Sequence, residues 1–506
     1  MDDGQTTPPG DAGQSAPRVG LILGAVAVTL LFASLGQTIV TTALPTMVAD
    51  LGGLDHITWV VTAYLLASTI GAPLSGKLGD LYGRKRVMQT QILIFMAGSV
   101  IAGLAGSMGV LVAARAIQGF GAGGLIVVSM AVVADVLPPR ERGRAQALLG
   151  AAFGVSTVVG PLVGGFLVEA ASWHWIFFVN LPIGVVAFVV LGIVLEQTAT
   201  EGEKRIDVLG AALLATILAT LVMISNLGGS VFPWASAQIL GLIALALGAT
   251  TAFVAVERRA AEPILPMSLF RSNAFLVMNG VGLMVGCAMF GTITFVPLFL
   301  QIAKGVSPAT SGLFLVPMMG GLILSSALAG RTMDRTGRYK WLPIASTAVL
   351  AGALASLSTL SGDTPLWAVA TALVGVGIGL GPVFSVGVAA IQNAVPVSML
   401  GVGTASANMF RLIGGAIGTA AFGGLFSAGL AQNLAGQMPE GSGTGMGSVS
   451  AAAVARMPAE VQTRVIAGVS DALHPIFWAA AAIAVIACLV ATRLHEQPIA
   501  STVPAE

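Results

Sequence analysis

Apolar runs of about twenty residues or more, parted by short polar or glycine-rich breaks, follow one another along almost the whole chain. A helix of that length crosses a hydrocarbon core of ~30 Å. The runs near 19–45, 56–77, 87–106, 109–136, 143–168, 174–196, 208–227, 235–256, 272–302, 309–330, 341–360, 365–393, 399–428 and 474–493 predict fourteen transmembrane helices. A barrel would instead read as alternating ten-residue segments. The pattern is that of an all-α integral membrane protein, and an even number of spans puts both ends on one side.

The polar intervals divide this series. Residues 1–17, rich in Pro, Gly, Gln, Thr and Asp and without the basic start of a signal peptide, read as a disordered cytoplasmic tail. Glu196–Val208, the most charged interval, closes a first six-helix bundle over 18–200. Two inserted helices occupy 206–258, a second six-helix bundle 272–493, and a second tail 494–506. The longest interval, 429–473, begins with a Gly/Ser stretch at 441–450 and continues as a surface helix around Ala451–Val469. It lies outside, as a linker or as a cap over a path.

Composition agrees, with 56% hydrophobic residues, 9% charged residues and a mean hydropathy of +0.92. Glycine supplies 65 of 506 residues, and small residues let membrane helices approach closely where lipid offers no hydrophobic drive to association. Of the 23 Lys and Arg, eighteen fall at ends or loops on the side of the termini and only Lys304, Arg456 and Arg464 on the other. That bias places both termini in the cytoplasm. A net charge of +1 gives no reason to expect a nucleic-acid partner. Cys287 and Cys488 both sit inside apolar runs and read as small buried hydrophobes rather than a disulfide or metal pair. No phosphate-binding loop, Cys/His cluster or nucleophile elbow is present, and the four histidines, His56, His174, His474 and His495, are scattered. No enzyme activity, cofactor or metal site is expected.

One pattern occurs twice. Gly76, Asp80, Gly83 and Arg84 recur at one constant spacing as Gly330, Asp334, Gly337 and Arg338, which suggests a duplicated architecture. Asp80 stands at the inner end of the second span, where a carboxylate can face the positive N-terminal end of a helix from the other bundle. Arg115 is a charge inside a span, which must be paired or hydrated. With Gln118 one turn on, it lines a polar cavity or snorkels to the outer surface. Gly150, Gly154, Gly160, Gly164 and Gly165 around Pro161 give the fifth span a face free of side chains, suited to rocking or to close packing.

These pieces, in this order, resemble the major facilitator superfamily, and within it the fourteen-span drug:proton antiporters of the EmrB/QacA type. The likeness runs from about Gly36 to Arg493 and is carried by Gly76-Lys-Leu-Gly-Asp80-Leu-Tyr-Gly83-Arg84-Lys85, by Arg115-Ala-Ile-Gln118-Gly119, and by Gly154 through Gly160-Pro161 to Gly164-Gly165. Trp59-Val-Val-Thr62-Ala-Tyr64 and Trp173-His174-Trp175-Ile-Phe177 with Asn180-Leu-Pro182-Ile-Gly184 add to it. Two positions depart from the family pattern. His174 stands where Arg is usual, and Gly36 where the first span usually carries Asp.

The resemblance implies a major facilitator fold of two six-helix bundles plus two inserted linker helices. It implies a monomeric secondary transporter in the plasma membrane that exports hydrophobic or amphipathic small molecules, driven by the proton gradient. A lipid or metabolite exporter, and a non-coupled facilitator or membrane sensor, are alternatives the same fold serves. Asp80 would then hold span thirteen near Ser398–Gly401, and Arg84 would pair with Asp135, so that Gly76, Asp80, Gly83, Arg84 and Asp135 form a cytoplasmic latch. Gly154, Gly160, Pro161, Gly164 and Gly165 form the antiporter motif. Arg115 takes the place tied to proton coupling, with Arg411 as a loose counterpart. Because Gly36 cannot titrate, coupling either uses another group, with Glu169 and His174 nearest, or is absent. Positions lining the central cavity are Gln37, Thr38, Thr41, Tyr64, Gln118, Ser156, Asn279, Met284, Met289, Phe290, Phe295, Asn408 and Arg411, although Met and Phe also face lipid.

Overall fold

In hydrocarbon no water bonds to a peptide group, so each apolar run closes its hydrogen bonds upon itself as helix. The computed structural model describes residues 16–52, 57–197, 207–229, 231–433 and 459–496. Its helices in chain order are α1 (Ala16–Thr38), α2 (Leu44–Leu51), α3 (Ile57–Tyr82), α4 (Arg84–Gly103), α5 (Met108–Val136), α6 (Arg142–Ala170), α7 (Trp175–Phe178), α8 (Asn180–Val194), α9 (Val208–Leu227) and α10 (Ala237–Glu257). There follow α11 (Asn273–Ala303), α12 (Pro308–Leu313), α13 (Leu315–Thr336), α14 (Trp341–Leu357), α15 (Leu366–Pro382), α16 (Val388–Ala394), α17 (Leu400–Asn433) and α18 (Ala459–Thr492). Thirteen helical segments among the described residues are long and apolar enough to cross a membrane, and α14, with 17 residues, is a shorter apolar helix.

Three boundaries differ from the sequence reading. The first apolar run does not continue as one helix to residue 45: α1 ends at Thr38, a 3-10 turn covers Ile39–Thr42, and Pro45 sits in the first turn of the amphipathic α2. Proline lacks the N–H that an interior helical position would spend, so it begins a helix more readily than it extends one. In the run near 365–393, Pro382 ends α15 and the chain widens into a π turn over Val383–Gly387 before α16 resumes. The surface helix expected to reach Val469 and the last span are one continuous helix, α18, of 34 residues. The Gly/Ser stretch and the rest of 434–458 lie outside the described residues, as do 1–15 and 497–506.

Packing sorts the long helices into two groups. α5 lies between α3 and α4, while α1 packs on α6 and α8; in the second group α11 packs on α17 and α18, α13 on α15, and α14 on α15 and α18. Two seams join the groups, α6 against α13 and α3 against α17. The α9–α10 hairpin lies over the second seam, with α9 against both α3 and α17. Thr62 of α3 donates to Asn226 of α9 at 3.3 Å, and Lys77 pairs with Glu262, just beyond α10, at 2.8 Å. The repeated motif ends α3 and α13 alike. Gly83 at φ 87° and Gly337 at φ 64° take left-handed backbone conformations that favour glycine.

Candidate functional site

The end of the molecule that carries the start of α1 and the end of α18, here the terminal face, is drawn together by side chains across both seams. The first turn of α17 has N–H groups with no carbonyl of their own helix to bond. Asp80 supplies both oxygens: Gly401 donates to Oδ1 and Val402 to Oδ2, each at 2.9 Å. Arg84 holds that carboxylate at 2.5 Å and reaches Asp135 of α5 at 2.9 Å. α3 comes this close to α17 because both helices carry glycine at the crossing. A Cβ on Gly76 would stand 2.7 Å from the Gly401 carbonyl oxygen, and one on Gly401 would stand 2.3 Å from that of Gly76.

At the other seam, Arg142 at the start of α6 donates to the Leu137 and Ala134 carbonyls within its own group, and to the Gln392 carbonyl and Asn393 Oδ1 of α16 in the other. Gln392 Nε2 in turn donates to the Met130 carbonyl of α5 at 3.0 Å and to Thr404 of α17 at 2.9 Å, and Gln146 donates to Gln392 Oε1 at 3.3 Å. Gly330, the repeat of Gly76, packs against the backbone of Gly143–Arg144. Its neighbour Asp334 makes no described bond comparable with that of Asp80. The two halves of the repeat therefore share a crossing and not a clasp.

Deeper in the first group a second cluster gathers around Arg115, which is fully enclosed. Its guanidinium donates to the Val60 carbonyl at 3.2 Å, to the Gly36 carbonyl at 2.9 Å and to Gln118 Oε1, and it lies 4.1 Å from the centre of the Tyr64 ring. Gln118 passes a hydrogen bond to Ser99 at 2.7 Å, and Tyr64 donates to the Ala33 carbonyl at 2.9 Å. Arg115 neither snorkels nor faces an open cavity in this state. Backbone oxygens stand in for the absent counter-charge. Position 36 holds only hydrogen because Phe95 occupies the adjoining space: a Cβ there would lie 2.4 Å from the tip of that ring. Phe95 is itself fully buried, with its ring centre 4.5 Å from that of Phe32.

The other candidates are dispersed. Glu169 is exposed near the far end of α6. His174 stacks on Trp173 at 3.7 Å and bonds Ser172 at 2.7 Å, while Trp173 donates to Asp50 at 2.9 Å. Gly160 and Gly164 of the glycine face receive Thr38 and Ile39 at the end of α1, and only Gly154 meets α13, at Ile323. α6 runs as one helix through Pro161, and nothing lies near Gly165. Gln37 is half-buried; Thr38 donates to the Ser156 carbonyl at 2.9 Å and Ser156 to that of Phe153 at 2.7 Å. The Thr41 side chain lies outside the described residues. On α11, Asn279 is buried and donates to the Phe275 carbonyl, Met284 and Met289 are half-buried, Phe290 covers Gly415, and Phe295 packs on Phe426.

Asn408 and Arg411 lie together on α17. Arg411 donates to Asn408 Oδ1 and lies 4.1 Å from the centre of the Phe384 ring. Beside them is a small cleft of about 10 Å³, room for one water, between α11, the π turn with α16, and α17. Sequence reasoning missed Phe95, Phe384, Gln146, Gln392 and Asn393. The amides at 146 and 392 carry a usable signal, since polar side chains within apolar runs need a partner.

Residues 26–419 match the Major Facilitator Superfamily. The chain belongs to that superfamily. Its members are membrane transporters and not enzymes, and this one is a multi-pass membrane protein. This superfamily member is 38% identical to an uncharacterized MFS-type transporter of Mycobacterium tuberculosis, over 96% of this chain and 71% of that protein. It is also 38% identical to the multidrug transporter protein MdtP of Bacillus subtilis, over 82% of this chain and 76% of that one. The human organic anion transporter MFSD10 superposes with a TM-score of 0.63 over 96% of this chain and all of that one, at 15% identity, a likeness of fold alone.

Proposed function

We propose that this superfamily member exports hydrophobic or amphipathic small molecules by alternating access between two six-helix bundles, with fourteen spans and with both termini on the cytoplasmic side of the plasma membrane. The clasp of Asp80 on the first turn of α17 carries this reading. With the Arg142 and Gln392 bonds of the other seam, it joins the two helix groups at one face through directional bonds, so the groups can part there and close elsewhere. The name of the multidrug relative MdtP supports export, as does the likeness to the EmrB/QacA antiporters. The fourteenth span is α14, whose 17 residues rise ~25 Å, the lower limit of a crossing. Inside-out membrane vesicles bearing the chain are expected to accumulate a fluorescent amphiphile on imposition of a pH gradient or a membrane potential, and Asp80→Asn vesicles to fail. Equilibration without accumulation under either gradient rules out the active exporter.

One observation favours a second reading, a facilitator without proton coupling. Arg115 bonds the Gly36 carbonyl where the related antiporters usually carry a carboxylate, and the described Asp and Glu of the two helix groups stand near helix ends or the membrane surfaces. Substrate-evoked acidification inside proteoliposomes distinguishes the two: its presence supports antiport through another group, and its absence together with rapid equilibration supports the facilitator.

A further inference from the structure

Arg115 and Arg411 lie within spanning helices and Arg142 at the head of one, and the three are not alike. Arg115 and Arg142 are each almost wholly enclosed and spend their donors on several fixed acceptors, most of them backbone carbonyls. Arg142 spends all three of its nitrogens in this way, whereas Arg115 bonds through Nε and Nη1 and leaves Nη2 buried without a partner. Arg411 is half-buried and makes one described hydrogen bond, to Asn408, although a guanidinium has five N–H donors. It stands on a cleft, not in a plug. Met278, Val383, Phe384, Val388, Ile391 and Ala407 form the apolar walls, and Arg411 is the one charged group among the lining residues.

Three further features point to a ligand. The helices that form the cleft, α11, α15, α16 and α17, contain no Asp or Glu anywhere along their lengths. A cation entering it would meet a guanidinium with no carboxylate to offset it, whereas an anion would find donors already in place. Part of the wall is the π turn Val383–Gly387, an irregularity that recurs at functional sites because it displaces side chains from the regular helical register. Phe384 within that turn holds one face of the guanidinium and leaves its edge for an oxyanion, the geometry in which arginine recognises carboxylates and phosphates.

We infer that the Arg411 cleft, once widened by movement of α17 from the closely packed state seen here, binds the carboxylate or sulfonate headgroup of an amphiphile whose apolar body lies along Met278, Phe384 and Ile391. This names a substrate class for the transport reading and rests on it: amphipathic anions are preferred to the lipophilic cations of equal size. The site is placed to sense the clasp. Arg411 lies ten residues beyond Gly401 on α17, about 15 Å along the helix whose first turn Asp80 holds. When α17 leaves α3, the arginine and its cleft move with it.

The test is equilibrium binding to the full chain in phosphatidylcholine nanodiscs, using three fluorescent probes with one apolar body: pyrenebutyrate, pyrenebutanol and a pyrenebutyl trimethylammonium. Pyrenebutyrate is expected to bind at least about tenfold more tightly than the alcohol, the scale of a charge-assisted hydrogen bond, and the ammonium more weakly than either. Arg411→Gln should erase the advantage of the carboxylate and leave the alcohol unchanged, and Arg411→Lys should retain part of it, with thermal unfolding showing that both variants fold. Equal or tighter binding of the ammonium by the unaltered chain overturns the proposal, as does undiminished pyrenebutyrate binding by a folded Arg411→Gln chain. Phosphatidylglycerol in the disc separates the sources of the headgroup. Displacement of the probe supports the site with a lipid as occupant; no displacement supports it with a free amphiphile. Because binding is read without transport, an Arg411-dependent preference in a chain that moves nothing across vesicles would sink the exporter and leave the site standing.

Discussion

Arg115 finds its oxygens on backbone and amide because the acid that could face it is a glycine, and that glycine is enforced by Phe95. Gly36→Asp alone must push aside a fully buried ring, and overpacking of this kind costs about 1–3 kcal/mol. The expected outcome is a lower unfolding temperature for Gly36→Asp, largely recovered in Gly36→Asp with Phe95→Leu. Only the double variant brings a carboxylate beside Arg115 without strain, so only it should gain substrate-evoked proton movement in proteoliposomes. Equal stability of the two variants would mean that Phe95 does not guard the position. The departure at Gly36 is legible only through the family resemblance, whereas Arg115 and Gln118 stand out in the chain itself. Phe95 does not, because one more phenylalanine in an apolar run carries no mark of which residue it touches.

Between elements, directional bonds cross both seams at the terminal face, so single substitutions there should change which side is open more than whether the protein folds. Asp80→Asn removes the charge that binds the α17 amides and Arg84, and breaking one side of such a pair is worth a few kcal/mol, enough to invert a two-state population. Spin-label distances between α3 and α17 at this face are expected to lengthen in Asp80→Asn, and unchanged distances would separate the residue from the gate. Gln392→Ala removes bonds to Met130 and Thr404 and from Gln146, each worth about 1 kcal/mol. It should lengthen spin-label distances between α6 and α16 at the other seam. Gly76→Ala tests sterics apart from charge: the new methyl would stand 2.7 Å from the Gly401 carbonyl oxygen and 2.8 Å from the Ala405 Cβ, so the helices must separate, and transport should fall with the carboxylate intact.

At the scale of the molecule, the lysine and arginine bias can be tested by impermeant thiol labelling of intact cells. Arg335→Cys, at an exposed position on the terminal face, is expected to stay unlabelled, and Gly106→Cys, in the open loop between α4 and α5, to react. Gly79 is a poor place for such a probe, since a Cβ there would lie 2.7 Å from Arg84 Nη1 and disturb the clasp. The reverse labelling would invert the orientation. The sequence by itself determined the class of protein and nearly every span, because the length of an apolar run is a local quantity measured against a fixed hydrocarbon thickness. It also singled out Asp80 at the end of a span, since a charge near hydrocarbon is rare enough to be conspicuous, while the pairing of Arg84 with Asp135 came from the family resemblance. Tertiary structure alone decided that Arg115 is sealed while Arg411 stands on a cleft, that Phe95 fills the place of a side chain at 36, and that Gln392 ties α16 to α5 and α6 beside the α6–α13 seam. The reason is physical: what a buried side chain does depends on which distant helix presents its oxygens or its free volume, and residues far apart in sequence meet only when the helices pack.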